Sequence, residues 1–328
     1  MPFASKERIS INEMVCEKEG LFMQVLVTGG AGFIGSHAAE ACIEAGYEVV
    51  VVDSLVRGKI ENVPDKATLF KLDIATDSSS ELQEIITNFG VKVVIHQAAQ
   101  VDVSVSMLRP ALDASVNILG LINVLEACRN TGVQKIIYAS SAAIYGEPMS
   151  LPIKEEHTIS PTSPYGLSKY IGERYLVLYR QLFGLDYTIL RYSNVYGPRQ
   201  DASGDGGVVA IFAHKLLEDI NPIIYGSGEQ TRDFIFVEDV ARANVLAVVR
   251  GGHVLNISSG KQTSINELYF SITRILGSSV SPHYYPARPG DIEASCLDNS
   301  RAREVLGWEP KYSLLDGLNE YTNLLKSR

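Results

Sequence analysis

An α/β fold built on a doubly wound parallel sheet, with a smaller C-terminal lobe, is the architecture this sequence predicts. Three observations carry it. Apolar runs alternate with helical patterns from Gln24 to Arg191. The first run leads straight into a glycine-rich turn, Thr28-Gly29-Gly30-Ala31-Gly32-Phe33-Ile34-Gly35. After Asn194 the alternation breaks, and Gly197-Pro198, Gly206-Gly207, Gly226-Ser227-Gly228, Pro282, Pro286 and Pro289 punctuate shorter elements.

Taken in order, the pattern predicts a strand over 24–28, a helix over 32–45, strands over 48–52 and near 68–71, and a helix over 78–89. A strand over 92–96 follows, then a long helix over 110–131 that starts after Arg109-Pro110 and ends at Gly132. Gln134-Lys135-Ile136-Ile137-Tyr138-Ala139 reads as a buried parallel strand, 135–140. Pro161-Thr162-Ser163-Pro164 stops what precedes it and opens a helix over 164–183, and a strand over 186–191 closes the series. Phe234-Ile235-Phe236-Val237 is strand-like, and Gly252-His253-Val254-Leu255-Asn256-Ile257 is expected to return to the main sheet.

At 328 residues the chain can bury a large core, and 46% apolar with 20% charged content is that of a globular protein. The net charge of −9 argues against nonspecific nucleic-acid binding. No stretch approaches 18 apolar residues, so no membrane span is expected. Cys16, Cys42, Cys128 and Cys296 show no C-x-x-C spacing and read as free thiols in a reducing cytoplasm. Residues 1–22 stand apart as a charged N-terminal extension with no apolar core of a signal peptide, and loose order is expected there.

The glycines point to chemistry. A strand that ends in T-G-x-x-G-x-x-G and opens a helix lets backbone N–H groups approach a pyrophosphate at the positive helix end. Gly29 and Gly32 allow the turn, and Gly35 lets the helix pack on the strand. Asp53 ends the next strand, 18 residues beyond Gly35. A carboxylate there accepts from both ribose hydroxyls and repels a 2′-phosphate, so NAD is expected rather than NADP. Gln97-Ala98-Ala99 follows another strand, and its alanines leave room for the cofactor. The organisation expected is a Rossmann NAD-binding domain over 23–195 with a late return near 235–258, and a mainly substrate-binding lobe over 196–328.

A second motif supplies a base. Tyr165 and Lys169 are four apart in one helix and share its face, which places Lys169 under the Tyr165 ring. A phenol has a pKa of about 10, and lowering it by about 3 units takes roughly 4 kcal/mol of differential stabilisation from the ammonium and an oxidised nicotinamide. Ser141, 24 residues upstream at the end of a buried strand, can bond the reacting hydroxyl while Tyr165 takes its proton. Ser140 is expected in a structural or cofactor role, His96 as a packed strand-end residue, and Tyr175 and Tyr179 as packing residues. His157 has no partner that the sequence identifies. Arg232 and Arg288 are the best pyrophosphate ligands, because guanidinium groups bind phosphate bidentately. Asp201 and Asp205 lie in a glycine-rich stretch whose spacing supports no metal site, and no metal is expected.

With these residues the chain resembles the extended short-chain dehydrogenase/reductase family, the NAD-dependent epimerases and dehydratases, and most of all its branch of bacterial UDP-glucose 4-epimerases. The likeness runs from about Met23 to the C-terminus. It rests also on Leu72-Asp73-Ile74, His96-Gln97-Ala98-Ala99, Asn117, Ser141 to Gly146, Arg191 to Arg199, Thr231-Arg232-Asp233-Phe234 and Arg288-Pro289-Gly290-Asp291. The resemblance implies cofactor contacts from Phe33, Ile34, Ser54, Leu55, Asp73, Ile74, Asn117 and Tyr192. It implies substrate contacts from Asn194 on a phosphate, Val209, Tyr225 against uracil, Asp291 on the uridine ribose and Ser295 beside the sugar C2 substituent. It also implies a homodimer paired through helices 110–131 and 164–183.

The reaction expected is 4-epimerisation of a UDP-sugar, UDP-glucose and UDP-galactose first, with the N-acetyl forms also fitting the motifs. Tyr165 removes the 4-hydroxyl proton, hydride moves from C4 to NAD⁺, the 4-keto sugar turns over, and the hydride returns on the other face. Dehydratases of the family carry an acidic pair after the catalytic Ser/Thr, where this chain has Ala142 and Ala143. Its decarboxylases carry a Glu in the same stretch. UDP-glucuronate 4-epimerisation fits the same motifs. A non-enzymatic NAD sensor on this fold is disfavoured by the retained Tyr165/Lys169 pair.

Overall fold

The computed structural model describes residues 23–76, 79–202, 207–287 and 291–327. Seven strands form one sheet in the order β11-β6-β5-β4-β1-β2-β3. They are β1 (Gln24–Thr28), β2 (Glu48–Asp53), β3 (Thr68–Lys71), β4 (Val93–His96), β5 (Lys135–Ser141), β6 (Asp186–Tyr192) and β11 (His253–Ile257), and every pairing is parallel. The late return of the chain to the sheet, at β11, is as the sequence predicts.

Alternation along the strands feeds two cores. Val25, Val27, Val49 and Val51 face α1 (Phe33–Glu44), α8 (Val237–Val249) and α10 (Ser300–Leu306). Leu26, Val50, Val52 and Val94 face α2 (Ser79–Phe89), α5 (Gly120–Thr131) and α6 (Pro164–Phe183). Side chains of successive strand residues point to opposite faces, so an all-valine strand such as β2 serves both layers. A third core, around Phe212, Phe236, Leu268 and Tyr321, fills the C-terminal lobe. That lobe holds β7 (Asn194–Tyr196), α7 (Val208–Leu217), β8 (Ile223–Tyr225), β9 (Thr231–Arg232), β10 (Phe234–Phe236), β12 (Thr263–Ser264), α9 (Ile265–Leu276), β13 (His283–Tyr285) and α11 (Leu314–Lys326).

Four expectations need correction. The helix over 110–131 is not uniform: α4 (Pro110–Ala114) passes into a π-turn over Ser115–Leu119 before α5. A short α3 (Val103–Leu108), capped by Asp102, precedes it and has no apolar period from which to read it. Val237 opens α8 instead of extending the strand, because Glu238 and Asp239 supply the acidic first turn that suits a helix N-terminus. Finally, Pro110–Thr131 is 22 residues long and contains an 18-residue window of mean hydropathy 1.4, which by length and composition does reach the span of a membrane. In the folded chain 44% of that window is buried, and Asp113 and Asn117 on it are buried polar groups.

Candidate active site

The strand order reverses between β1 and β4, and the crevice outside their C-terminal ends is where sheets of this kind bind ligands. Gly29, with φ of +69°, turns there so tightly that a Cβ on it would stand 2.6 Å from the Ala98 nitrogen. Only glycine fits. A Cβ on Gly35 would lie 2.1 Å from the Gly29 carbonyl oxygen, which locks α1 against the turn. Helix α1 begins at Gly32 with no side-chain cap and no acid in its first turn. Its leading N–H groups, on Phe33, Ile34 and Gly35, therefore meet whatever anion enters the crevice.

Asp53 is 7% exposed at the end of β2. Its Oδ2 accepts from Ala31 N at 3.0 Å and its Oδ1 from Leu55 N at 2.8 Å. Each oxygen keeps lone pairs for a ribose hydroxyl. Leu55 is held at φ +59° to make that bond, a conformation costly for a residue with a Cβ. The stretch from Ser54 to Lys59 folds back over the turn, Lys59 N donating to Ala31 O at 3.0 Å. The donor-rich helix end, the fixed carboxylate and the missing Cβ atoms together fit a dinucleotide.

Other expected cofactor residues divide. Asp73 is exposed and accepts from Ala75 N at 2.9 Å, closing a turn, while buried Ile74 packs against Gly120. Gln97 donates from Nε2 to Tyr192 Oη at 2.9 Å and Asn244 Oδ1 at 3.0 Å. Burial raises the Tyr192 phenol to about 12. Asn117 is spent internally: Oδ1 accepts from Gln100 N at 2.8 Å, and Nδ2 faces Gln100 O, Asp113 Oδ1 and Ser168 Oγ at 3.0–3.1 Å. It fixes the loop after β4, with Ala98 and Ala99, to the N-terminal turn of α6.

Ser141, Tyr165 and Lys169 come together beside this crevice. Ser163 caps α6 by accepting from Gly166 N at 3.1 Å, and Pro164 starts the helix. A Cβ on Gly166 would stand 2.5 Å from the Ala143 oxygen, so the turn after Ser141 and the turn carrying Tyr165 touch backbone to backbone. The Ser141 hydroxyl favours the ionised form of the Tyr165 phenol, and it caps the 142–144 turn by accepting from Ala143 N at 3.2 Å.

Lys169 Nζ lies over the Tyr165 ring, 6.0 Å from its centroid, and also over that of Tyr138 at 5.2 Å, and it donates to Ala139 O at 2.9 Å. Burial drops its ammonium to about 8, with Asp113 opposing the drop. The Tyr165 phenol, half-buried, is pushed up by burial, held back by the Ser141 hydroxyl, and pushed up further by Asp113. The protein groups alone do not lower the phenol; the expected lowering also needs the positive nicotinamide ring that a bound NAD⁺ would supply.

Beneath lies a buried network that the sequence reading missed, although Glu173 continues the Tyr165/Lys169 spacing by another four. Ser140 Oγ donates to Glu173 Oε1 at 2.6 Å. Arg191 grips the same carboxylate with Nε at 2.9 Å and Nη2 at 2.7 Å, and reaches Tyr145 Oη with Nη1 at 2.8 Å. His96 stacks on Tyr138 and faces Thr28 Oγ1 at 2.9 Å, and burial lowers its pKa to about 3, so it stays neutral as a packing residue. Tyr175 packs in the same core and Tyr179 Oη donates to Glu126 at 2.5 Å. His157 does have partners: Nε2 accepts from Met149 N at 3.2 Å, and Nδ1 faces Thr158 O at 2.8 Å.

The expected substrate residues are less uniformly placed. Asn194 is exposed, its N–H donating to Asp233 O at 2.9 Å. Arg232 is not a free phosphate ligand: it pairs with Asp291 through Nη2 and donates from Nη1 to Thr231 O at 2.8 Å. Ser295 is buried next to it, with N bonded to Thr231 O at 3.1 Å. Tyr225 stands 6.3 Å, ring to ring, from Tyr285. Val209 lies wholly within the C-terminal core. Fully buried Asp233 joins these parts, accepting from Ser193 Oγ, Ser259 N and Oγ, Gly260 N and Leu297 N. Arg288, Asp205 and residues 1–22 lie outside the described residues; Asp201 pairs with Arg57 at 3.5 Å.

The NAD dependent epimerase/dehydratase family model matches residues 25–258. The chain belongs to that family. Three solved members show how far the likeness extends. A Thermotoga maritima UDP-glucose 4-epimerase, solved with UDP-glucose, is 44% identical with a TM-score of 0.90, covering 93% of this chain and 99% of that one. A Thermus thermophilus UDP-glucose 4-epimerase complexed with NAD is 40% identical, TM-score 0.88, with the same coverage. A UDP-N-acetylglucosamine 4-epimerase from Methanobrevibacter ruminantium, in complex with UDP-N-acetylmuramic acid, is 36% identical, TM-score 0.88, covering 93% and 98%. The family is NAD-dependent, and this member keeps the glycine turn, the Asp53 carboxylate and the Ser141/Tyr165/Lys169 set at the C-terminal end of the sheet.

Proposed function

We propose that this protein is an NAD-dependent isomerase that inverts C4 of a UDP-sugar, UDP-glucose and UDP-galactose first. The observation that carries the reading is the backbone-to-backbone approach of the turn after Ser141 to the turn carrying Tyr165, where a Cβ on Gly166 would stand 2.5 Å from the Ala143 oxygen, with buried Lys169 6.0 Å from the Tyr165 ring centroid. The first turn of α1 and Asp53 hold the cofactor's pyrophosphate and adenosine ribose. NAD⁺ held there would supply the hydride acceptor and donor for C4. Ser141 orients the 4-hydroxyl. Tyr165 accepts its proton and later returns one, and Lys169 favours the phenolate by its charge. Tyr225, Asn194, Arg232, Asp291 and Arg288 hold the UDP end, so binding energy is spent away from a sugar that must be free to turn over.

We assign residues 23–195, with β11, to cofactor binding and residues 196–328 mainly to substrate binding. A homodimer fits the exposed apolar side chains of α3, the π-turn before α5, and α6: Met107, Leu108, Leu119, Leu178, Leu182 and Phe183 are each more than two-fifths exposed. Cys42, Cys128 and Cys296 are buried and unpaired, which favours a reducing compartment such as the cytoplasm.

The test is turnover of a UDP-sugar panel followed by chromatography. Conversion between UDP-glucose and UDP-galactose without net change at 340 nm is expected. Binding of NAD with no conversion of any UDP-sugar would mean a sensor instead of an enzyme.

A further inference from the structure

The buried charges behind the site do not balance by the catalytic residues alone. Lys169 is 4% exposed, Glu173 3% and Arg191 4%. Glu173 and Arg191 neutralise each other through two hydrogen bonds, at 2.9 and 2.7 Å. The Lys169 ammonium has a carbonyl, Ala139 O, and the Tyr138 ring against it. It has no carboxylate on its own helix left to answer it. Asp113, on the short helix α4 that packs on α6, is 1% exposed. Its Oδ1 accepts from Gln100 Nε2 at 3.0 Å and Asn117 Nδ2 at 3.1 Å. Asn117 Nδ2 in turn faces Ser168 Oγ at 3.1 Å, the residue before Lys169. Asn117 sits in the π-turn, a distortion often found where a helix serves a site.

We propose that Asp113 is a positioning residue for the reaction: its buried carboxylate, fixed by Gln100 and Asn117, is the counter-charge of the Lys169 ammonium and anchors the first turn of α6 through Asn117 and Ser168. A buried ammonium without a counter-charge gives up its proton, and a buried pair held by further hydrogen bonds does not. The same negative charge reaches Tyr165. Asp113 opposes the fall of the Lys169 pKa and adds to the rise of the Tyr165 pKa. The groups that act on Lys169 are Asp113 from α4, Tyr138 from β5, neutral His96 from β4 and Tyr165 from its own helix, while Glu173 and Arg191 pair with each other. Among these described groups Asp113 supplies the unspent negative charge.

The inference rests on the proposed roles of Tyr165 and Lys169, and the experiment separates the two. The kcat–pH profile of UDP-glucose/UDP-galactose conversion is measured for the wild type, Asp113→Asn, Asp113→Glu and Tyr165→Phe. Asp113→Asn keeps the size and an acceptor oxygen but removes the charge. Both limbs are expected to move to lower pH by about one unit, the size of shift a close charge gives. KM for UDP-glucose stays within about twofold. Asp113→Glu, which keeps the charge, holds the wild-type limbs even if kcat falls. If Asp113→Asn lowers kcat equally at every pH and leaves the limbs in place, Asp113 is merely structural and the inference is overturned. Should Asp113→Asn not fold, Asp113→Ser, neutral and smaller, gives the same reading. Failure of all three substitutions to fold overturns it as well, since the carboxylate would then be a folding group. If Tyr165→Phe turns over normally, the reading of the site itself has failed, whatever Asp113 does.

Discussion

Glu173 takes Arg191 with both carboxylate oxygens, on two elements whose other side chains are mostly apolar. The pair ties α6 to β6 directly below the catalytic turn, and Ser140 shares the same carboxylate. Helix α6 therefore has a fixed depth against the sheet, and the rotamers of Lys169 and Tyr165, one and two turns earlier, inherit it.

Glu173→Gln is expected to cost about 3–5 kcal/mol, because it strands a buried guanidinium without its partner. Urea unfolding of the variant beside wild type measures this. A loss under about 1 kcal/mol would show that Arg191 finds another partner, Tyr145 and the Glu155 carbonyl being nearest.

Lys169 sets opposite signs for activity and stability. Its ammonium titrates at about 8, below its ordinary value of 10.5. Activity that needs the ammonium should fall as pH rises through about 8. Between 8 and 10.5 the unfolded chain binds the proton more readily than the folded one, so this group's contribution to stability grows over that range. Parallel kcat and melting profiles should diverge there; a kcat that stays flat to pH 10 would remove Lys169 from the mechanism.

The proposed role of Asp53 is to decide the cofactor. Asp53→Asn with Ser54→Arg removes a carboxylate that would repel a 2′-phosphate and adds a cation beside it. NADP should gain on NAD by at least tenfold in the ratio of dissociation constants. Wild-type protein purified with NADP bound would contradict the assignment outright.

Ser295 is proposed to set room for the sugar. It is small and buried beside Arg232 on the strand pairing of Thr231. UDP-N-acetylglucosamine should be turned over alongside UDP-glucose, and Ser295→Tyr should penalise the N-acetyl sugar by the equivalent of about 1–3 kcal/mol of overpacking. An unchanged kcat/KM ratio in the variant, or a wild type that ignores the N-acetyl sugar, would count against it.

The sheet was readable because its strands are runs of Val and Ile whose ends coincide with Gly29, Asp53, Gln97 and Ser141, so element borders and site residues are the same letters. Helix α6 was readable to the residue, since Ser163-Pro164 and Gly184 mark its ends by capping and left-handed geometry. The π-turn was not, because its residues carry an ordinary helical pattern. Asp113 and Glu173 escaped notice for a different reason: a charged residue on a helix is normally solvated, and only the fold shows that these are buried. The Arg232–Asp291 pair spans 59 positions, beyond any local pattern.

The most direct test of the account is Tyr165→Phe, purified with NAD bound and assayed for UDP-galactose to UDP-glucose conversion by chromatography. Loss of the phenolic base with the ring retained should lower kcat by about 10²–10⁴ while the variant keeps its NAD and its fold. Turnover within a fewfold of wild type would contradict the mechanism at its centre.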